Sequence, residues 1–279
     1  MYRKALADFL GWWNRQDEKR FDDSLIVAHV HALMESGYAA ATINQRLAAI
    51  RKLAGAAAAL GLLNGPVIVR IGMASGGRRS KPERKPSLRE SEAEALINSP
   101  SVLTTKGVRD RALLAVLIGC GLRRAELVNL LSENVDERSG RWFLTGVSDS
   151  RGHSRDVLLP AWAREAVADW MKRARLKSGP LFRAIDRRGI VAERGITVQS
   201  VLWLVAGYGR GVGLDVTPED LRRTCASLCH QAGGELEQIQ LMLGHASIQT
   251  TERLLHGSPR PIQAPNTRLR LNWRRKRAS

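Results

Sequence analysis

Helical spacing of apolar residues runs through most of this 279-residue chain and fails in one stretch, Met73–Pro86, which reads MASGGRRSKPERKP. This stretch carries paired glycines, two prolines and five basic residues in place of the apolar residues that pack a helix or strand. Such a break predicts a linker between two separately folded units. We therefore expect a first domain at 1–72, a basic linker at 73–86 and a second domain at 87–257. A basic tail follows at 258–279.

The charge of the chain indicates a polyanionic partner. Lys and Arg total 44 against 27 Asp and Glu, a formal net charge of +17, while 44% of residues are hydrophobic. A folded protein with this excess is expected to bind nucleic acid. No stretch approaches the roughly 18 consecutive apolar residues of a membrane span. The N-terminus does not resemble a signal peptide, so a cytoplasmic protein is expected.

Amphipathic helices are predicted for the first domain. The first surrounds Phe9, the second begins at Ser24 as N-cap and ends near Gly37, and the third runs from about Thr42 to Leu60. Several polar side chains of the third helix lie off its apolar stripe and are candidate DNA contacts: Thr42, Gln45, Arg46 and Lys52. The basic residues of the linker are candidates for a strap along DNA: Arg78, Arg79, Lys81, Arg84 and Lys85.

The second domain mixes helices with one hairpin. Ser87 and Glu90 have capping-box spacing, and two β-prone runs flank a polar turn between Arg141 and Pro160. Thr217 followed by Pro218 predicts a helix start. Helices are expected at 88–98, 107–119, 123–131, 162–176, 197–206, 217–232, 235–243 and 248–255, with a Gly-rich turn near 207–213. The chain is therefore predicted to be mainly α with a small β-sheet, an α+β fold.

The cysteines, Cys120, Cys225 and Cys229, are predicted to be buried reduced thiols. No second Cys/His pair has the spacing of a metal site. We expect neither a metal nor an organic cofactor.

Three short motifs occur in one order: GLRRAEL at 121–127, DLRRT at 220–224 and LGH at 243–245, the last followed by Thr250-Thr251. Each is weak alone, but in this order and spacing the chain resembles the tyrosine recombinases, or phage integrases. The resemblance covers nearly the whole chain. It implies a helical core-binding domain, a linker and a catalytic domain that together close as a C-shaped clamp on duplex DNA.

The resemblance assigns Arg123, Arg222 and His245 to the group that surrounds the scissile phosphate. Guanidinium groups suit this role because each can donate two hydrogen bonds to phosphate oxygens while staying charged. Arg222 also lies in the first turn of a predicted helix, where a cation is unfavourable unless an anion compensates it.

Three positions depart from the family pattern. The nucleophilic tyrosine is replaced by Leu254, and the chain's tyrosines, Tyr2, Tyr38 and Tyr208, all lie upstream in other contexts. Arg151 stands where the family has a lysine general acid, and an arginine is a poor proton donor. Glu219 stands where a histidine is usual, and is expected either to hold an arginine in position or to strengthen the helix cap.

These observations favour a recombinase homologue that binds a specific duplex DNA site without cutting it, as a homo-oligomer or with an active relative. One alternative is an active recombinase that uses Tyr208, Ser258 or a partner's tyrosine. Another is an active enzyme with a deliberately replaced nucleophile, which would leave Arg151 and Glu219 unexplained. A third is a basic helical DNA-binding regulator unrelated to recombinases, which predicts that Arg123, Arg222 and His245 lie far apart.

Overall fold

The computed structural model describes residues 2–17, 20–76, 87–149 and 152–255. The chain divides into two compact units, Met1–Arg84 and Lys85–Ser279. Several residues singled out above lie outside the described residues: Arg78, Arg79, Lys81, Arg84, Lys85, Arg151, Ser258 and the whole basic tail.

The first unit is helical, with α1 at Tyr2–Trp13, α2 at Asp23–Glu35, α3 at Ala40–Ala59 and α4 at Gly65–Met73. Its apolar stripes meet in one core that includes Phe9, Ile26, Leu47, Ile50 and Ile71. Helix α4 was not predicted as a separate helix. Its start was nevertheless encoded, since the Asn64 side chain caps the helix and a proline follows at its N-terminus.

The cap predicted for α2 was wrong by two residues. Asp22 is the N-cap, and its Oδ1 accepts a hydrogen bond from the backbone N–H of Leu25 at 3.2 Å. The hydroxyl of Ser24 instead donates to Asp22 Oδ1 at 2.5 Å. A carboxylate outcompetes a hydroxyl here because it accepts hydrogen bonds from both groups at once.

The second unit is built around α6 at Thr105–Cys120, whose residues from Gly107 to Cys120 are all buried. Helices α8, at Ala161–Arg173, and α10, at Pro218–Gln231, pack against it. The other helices of this unit are α5 at Glu90–Asn98, α7 at Arg124–Val128, α9 at Val198–Gly211, α11 at Leu236–Leu243 and α12 at Ile248–Leu255. A 3-10 turn lies at Ser132–Asn134.

Two small antiparallel sheets complete the second unit. The predicted hairpin is present as β2 at Arg141–Ser148 and β3 at Ser154–Leu158, and β1 at Val135–Arg138 extends it to three strands in the order β1-β2-β3. A second pair, β4 at Arg183–Ile185 and β5 at Val191–Gly195, was not predicted. Strands this short carry too few alternating residues to give a period-2 signal. The mainly α fold with a small β component is confirmed.

Two local predictions in the second unit were wrong. The capping box of α5 is formed by Arg89 and Glu92, whose carboxylate accepts the Arg89 N–H at 2.8 Å, whereas the Ser87 hydroxyl donates to Ser227 Oγ at 3.0 Å. The glycines near 207–213 do not end α9 early, because the helix continues to Gly211. A Cβ on Gly209 would lie 2.5 Å from Val216 Cγ2, so this glycine serves close packing rather than a turn.

All three cysteines are free and buried, as predicted. No helix within the described residues is both long and apolar enough to cross a membrane.

Candidate functional site

The C-terminus of α6 places the first of the predicted site residues. Gly121 ends α6 in the left-handed conformation, with φ of 61°. A Cβ there would lie 2.6 Å from Leu243 Cδ2, so glycine alone fits both the backbone conformation and the close approach of α11. The chain then turns through Leu122, which is buried, into α7, whose N-cap residue is Arg123.

A buried carboxylate, Glu126, lies at the centre of this region and is only 3% exposed. It accepts the backbone N–H of Arg123 at 2.8 Å and the Arg123 guanidinium at 2.8 Å. Arg155, on β3, donates to both of its carboxylate oxygens at 3.1 and 3.0 Å. Burial alone would raise the pKa of Glu126, but the hydrogen bonds from Arg155 and Arg123 outweigh it and hold this pKa below its ordinary value.

Arg222, on α10, lies near the same carboxylate, with Nη1 at 3.9 Å from Glu126 Oε2. Its side chain is 1% exposed and donates to two helix-end carbonyls, Gly121 O at 2.6 Å and Leu243 O at 2.7 Å. Burial, followed by the nearby charge of Arg123, lowers the pKa of Arg222 to about 10. It therefore stays charged at neutral pH.

His245 follows the end of α11. The turn depends on Gly244, at φ of 66°, where a Cβ would lie 2.8 Å from Arg155 Nη1. The imidazole Nδ1 lies 2.9 Å from the hydroxyl of Thr251 on α12, which fixes the ring. Burial, then the charges of Arg222, Arg123 and Arg155, lowers the pKa of His245 to about 4. At neutral pH the imidazole is thus uncharged and can donate one hydrogen bond.

The structure therefore brings together Arg123, Arg222 and His245, the three residues expected to hold a phosphate. Arg123, Arg222 and Arg155 approach one carboxylate, so the site carries two positive charges in excess. Arg123 exposes 40% of its side chain, and His245 is partly exposed beside it. An accessible cluster of fixed N–H donors with excess positive charge suits an oxyanion such as a phosphodiester.

Two members of this cluster were not assigned a role from the sequence. Glu126 was not predicted as part of the site, although its place three residues after an N-cap is a capping-box signal. Arg155 was not singled out from the sequence, because the register of the folded hairpin decides which side chains of β3 face Glu126.

The structure describes two of the positions at which the resemblance predicts another residue type, Glu219 and Leu254. Glu219 is exposed near the start of α10, where its charge acts to raise the pKa of Arg222, and the carboxylate that bonds the Thr217 cap is that of Asp220. Leu254 is on α12, half-buried against the core of its own unit, and the adjacent Leu255 is 9% exposed.

The candidate DNA contacts of the first unit differ in their surroundings. Arg46 donates to Asp8 Oδ2 at 2.9 Å and lies 4.7 Å from the centre of the Tyr38 ring. Lys52 Nζ lies 5.0 Å from the centre of the Tyr2 ring. Thr42 and Gln45 line a shallow cavity of about 580 Å³. Arg46 is thus engaged within the protein, while Gln45 and Lys52 are exposed.

Comparison with protein families gives two matches that together cover most of the chain. The model of the phage integrase family matches residues 86–259, and that of the phage integrase N-terminal SAM-like domain matches residues 1–60.

Curated relatives agree with these matches. Tyrosine recombinase XerD of Pseudomonas putida is 30% identical over 271 residues, which cover 94% of this chain and 87% of the relative. XerD of Xanthomonas axonopodis is 33% identical over 62% of this chain, and XerA of Pyrococcus furiosus is 32% identical over 60%. In these last two, the aligned part spans only 58% and 55% of the relative.

Solved structures share the fold. XerH site-specific recombinase bound to palindromic difH substrate, in a post-cleavage complex, aligns with a TM-score of 0.73 at 19% identity, over 91% of this chain and 75% of that one. A dimer of lambda integrase bound to a COC′ core site aligns with a TM-score of 0.65 at 14% identity, over 93% of this chain and 92% of that one.

Proposed function

Because the chain belongs to the phage integrase family of tyrosine recombinases, we propose that it binds a specific duplex DNA site without cutting it by itself. Arg123, Arg222 and His245 hold one backbone phosphate in this proposal. The family membership excludes the alternative of a basic regulator unrelated to recombinases.

The observation that carries the binding proposal is the cluster around Glu126. The three arginines around Glu126 outnumber its carboxylate, which favours binding of an anion, and Arg123 and His245 offer donors at the surface. Arg123, Arg222 and His245 are far apart in the sequence but lie together in the structure. This convergence supports a shared role in binding a phosphate, since isolated surface ion pairs would not require it. The formal charge of +17 supplies the sequence-independent attraction to DNA.

Residue 254 carries the proposal that the protein does not cleave. A leucine side chain has no nucleophilic atom, so no phosphotyrosyl bond can form at this position. The family's lysine is also replaced, by Arg151, which would protonate a leaving oxygen poorly.

Tyr208 is a weak candidate for a replacement nucleophile. Its hydroxyl donates to Asp110 Oδ2 at 2.9 Å, and burial, followed by the charge of Asp110, raises its pKa well above the ordinary value. Its phenolate is therefore hard to form. Ser258, which lies outside the described residues, and a tyrosine supplied by a partner protomer are the other routes to cleavage at this site.

We propose that the chain acts on DNA as an oligomer, either with itself or with an active relative that supplies the missing chemistry. The dimer of lambda integrase on its core site supports this arrangement, since the two proteins share a fold.

The test begins with selection of a binding site from random duplex DNA. The protein should then retard a duplex carrying the selected site and form no covalent complex on a suicide substrate, which traps cleaved ends. Arg123→Ala with Arg222→Ala should weaken binding and erase protection at one phosphate. A covalent adduct with the wild-type protein, or an unchanged footprint with the double variant, would refute the proposal.

A further inference from the structure

A second cavity in the C-terminal unit takes no part in the site around Glu126. It measures about 590 Å³ and lies between the start of α6, the β4-β5 pair and the outer face of α9. Its volume falls within the range of small-molecule sites, roughly 300–1,000 Å³. None of its lining residues belongs to the group of Arg123, Glu126, Arg155, Arg222 and His245.

An exposed tryptophan lines this cavity. Trp203 exposes 67% of its surface, which is unusual for a residue of this size on a folded domain. The apolar side chains of Ile185, Ile196 and Leu204 also line the cavity. A flat aromatic ring beside aliphatic walls provides a stacking surface for another planar ring.

Three cations line the same cavity, and one of them, Arg109, is buried. Lys106, in the first turn of α6, and Arg194, on β5, are both exposed. The hydroxyls of Thr197 and Ser200, at the start of α9, lie 2.8 Å apart, so one donates to the other and the second can donate to a ligand.

The one carboxylate of the cavity is already neutralised. Asp110 Oδ1 accepts from Arg109 Nε at 2.9 Å and from Arg109 Nη2 at 2.6 Å, and Asp110 Oδ2 accepts from the Tyr208 hydroxyl. Lys106 and Arg194 therefore give the cavity a positive balance. A ligand that fits must carry both a planar ring and an anionic group.

We propose that this cavity binds one unpaired nucleotide, with its base stacked on Trp203 and its phosphate held by Lys106 and Arg194. The inference rests on the proposed function in one respect, that the protein works on DNA. A paired base offers only its edge and cannot stack on a side chain without leaving the helix, so the ligand is a free nucleotide or an unpaired position in a strand.

The test measures the affinity of the full chain for deoxynucleoside monophosphates, a short single-stranded oligonucleotide and a duplex carrying the selected site. Trp203→Ala should weaken single-strand binding about tenfold, which is within the range reported for loss of one stacked base, and Trp203→Phe should retain most of the affinity. Lys106→Gln with Arg194→Gln should weaken it to a similar degree. Binding of the monophosphate as well would identify a free nucleotide as a sufficient ligand.

Matched controls separate this proposal from the one above. Arg210→Gln removes a cation from α9 outside the cavity and should leave single-strand affinity unchanged. Arg123→Ala should weaken duplex binding and spare the single strand. The nucleotide site would be overturned if Arg210→Gln weakened single-strand binding as much as Trp203→Ala does, or if polyglutamate competed as well as an oligonucleotide. It would also be overturned if Trp203→Ala weakened duplex binding in parallel, or if the protein bound no single strand at all.

Discussion

At the scale of single residues, Glu126 organises the candidate site. It links the backbone of Arg123 to the side chains of Arg123 and Arg155, and it lies within ion-pair distance of Arg222. A lone buried carboxylate would be costly, and so would three crowded guanidinium groups, but each offsets the other. The site is held ready for an anion because the carboxylate neutralises only part of the positive charge.

The first prediction compares Glu126→Gln with Glu92→Gln. Each glutamate lies three residues after an arginine N-cap and accepts its backbone N–H, but Glu92 is at the surface. Loss of the buried charge should destabilise the protein by about 3 kcal/mol, since it leaves cations without a partner. The control at Glu92, whose side chain is partly exposed, should change stability far less. Urea unfolding of the two variants measures the difference, and equal losses would contradict this role of Glu126.

The second prediction concerns His29, in the core of the first unit. It is 3% exposed, its ring centre lies 5.0 Å from that of Phe9 and 4.7 Å from that of Trp12, and burial, then the charge of Arg46, lowers its pKa to about 4. Between pH 6.5 and 4 the unfolded chain binds a proton that the folded chain refuses, so stability falls as the pH falls. The loss should reach roughly 3 kcal/mol by pH 4.

His29→Phe is the control for this titration, because it keeps a ring in the core and cannot bind a proton. Its unfolding free energy should depend less on pH than that of the wild-type protein across the same window. Parallel pH curves for the two proteins would show that His29 does not titrate as described.

At the scale of elements, the sequence predicted what local chemistry determines. The Thr217-Pro218 start of α10 was predicted correctly because its cap, proline and N3 carboxylate are contiguous. The caps at Ser24 and Ser87 were wrong because neighbouring acidic residues, Asp22 and Glu92, supplied better acceptors. Arg155 could not be found, since its partner lies 29 residues away and only the folded hairpin brings them together.

The third prediction concerns the cap of α10, the helix that carries Arg222. Thr217→Ala removes the acceptor for the Asp220 N–H and should cost about 1 kcal/mol of stability. Thr104→Ala, at the corresponding cap of α6, should cost a similar amount. Duplex affinity should fall only for Thr217→Ala, because that cap orients Arg222. A larger loss of affinity with Thr104→Ala would argue against this coupling.

At the scale of the whole molecule, the strong positive charge of the chain is compatible with the proposed loss of cleavage. The chain has a net charge of +17 and a cluster of arginines around one carboxylate, yet the proposed function assigns Leu254 to the position of the nucleophile. Binding and bond cleavage depend on different groups, so one can be lost while the other remains.

The fourth prediction is the salt dependence of duplex binding. The logarithm of affinity should fall linearly with the logarithm of salt concentration, with a slope of about −0.9 for each phosphate neutralised. Arg123→Ala should make the slope shallower by about 0.9. An Arg210→Gln control on α9 should leave the slope closer to that of the wild type. An unchanged slope for Arg123→Ala would place Arg123 away from the phosphates.

The most direct measurement restores the missing group. Leu254→Tyr, combined with Arg151→Lys, is incubated with a suicide duplex carrying the selected site, and covalent protein–DNA complexes are counted by denaturing electrophoresis. We expect an adduct at residue 254 that the wild-type protein and Leu254→Phe do not form, and that Arg222→Ala abolishes. A folded restored variant that binds the duplex as tightly as the wild-type protein yet forms no adduct would contradict the claim that the phosphate site is intact.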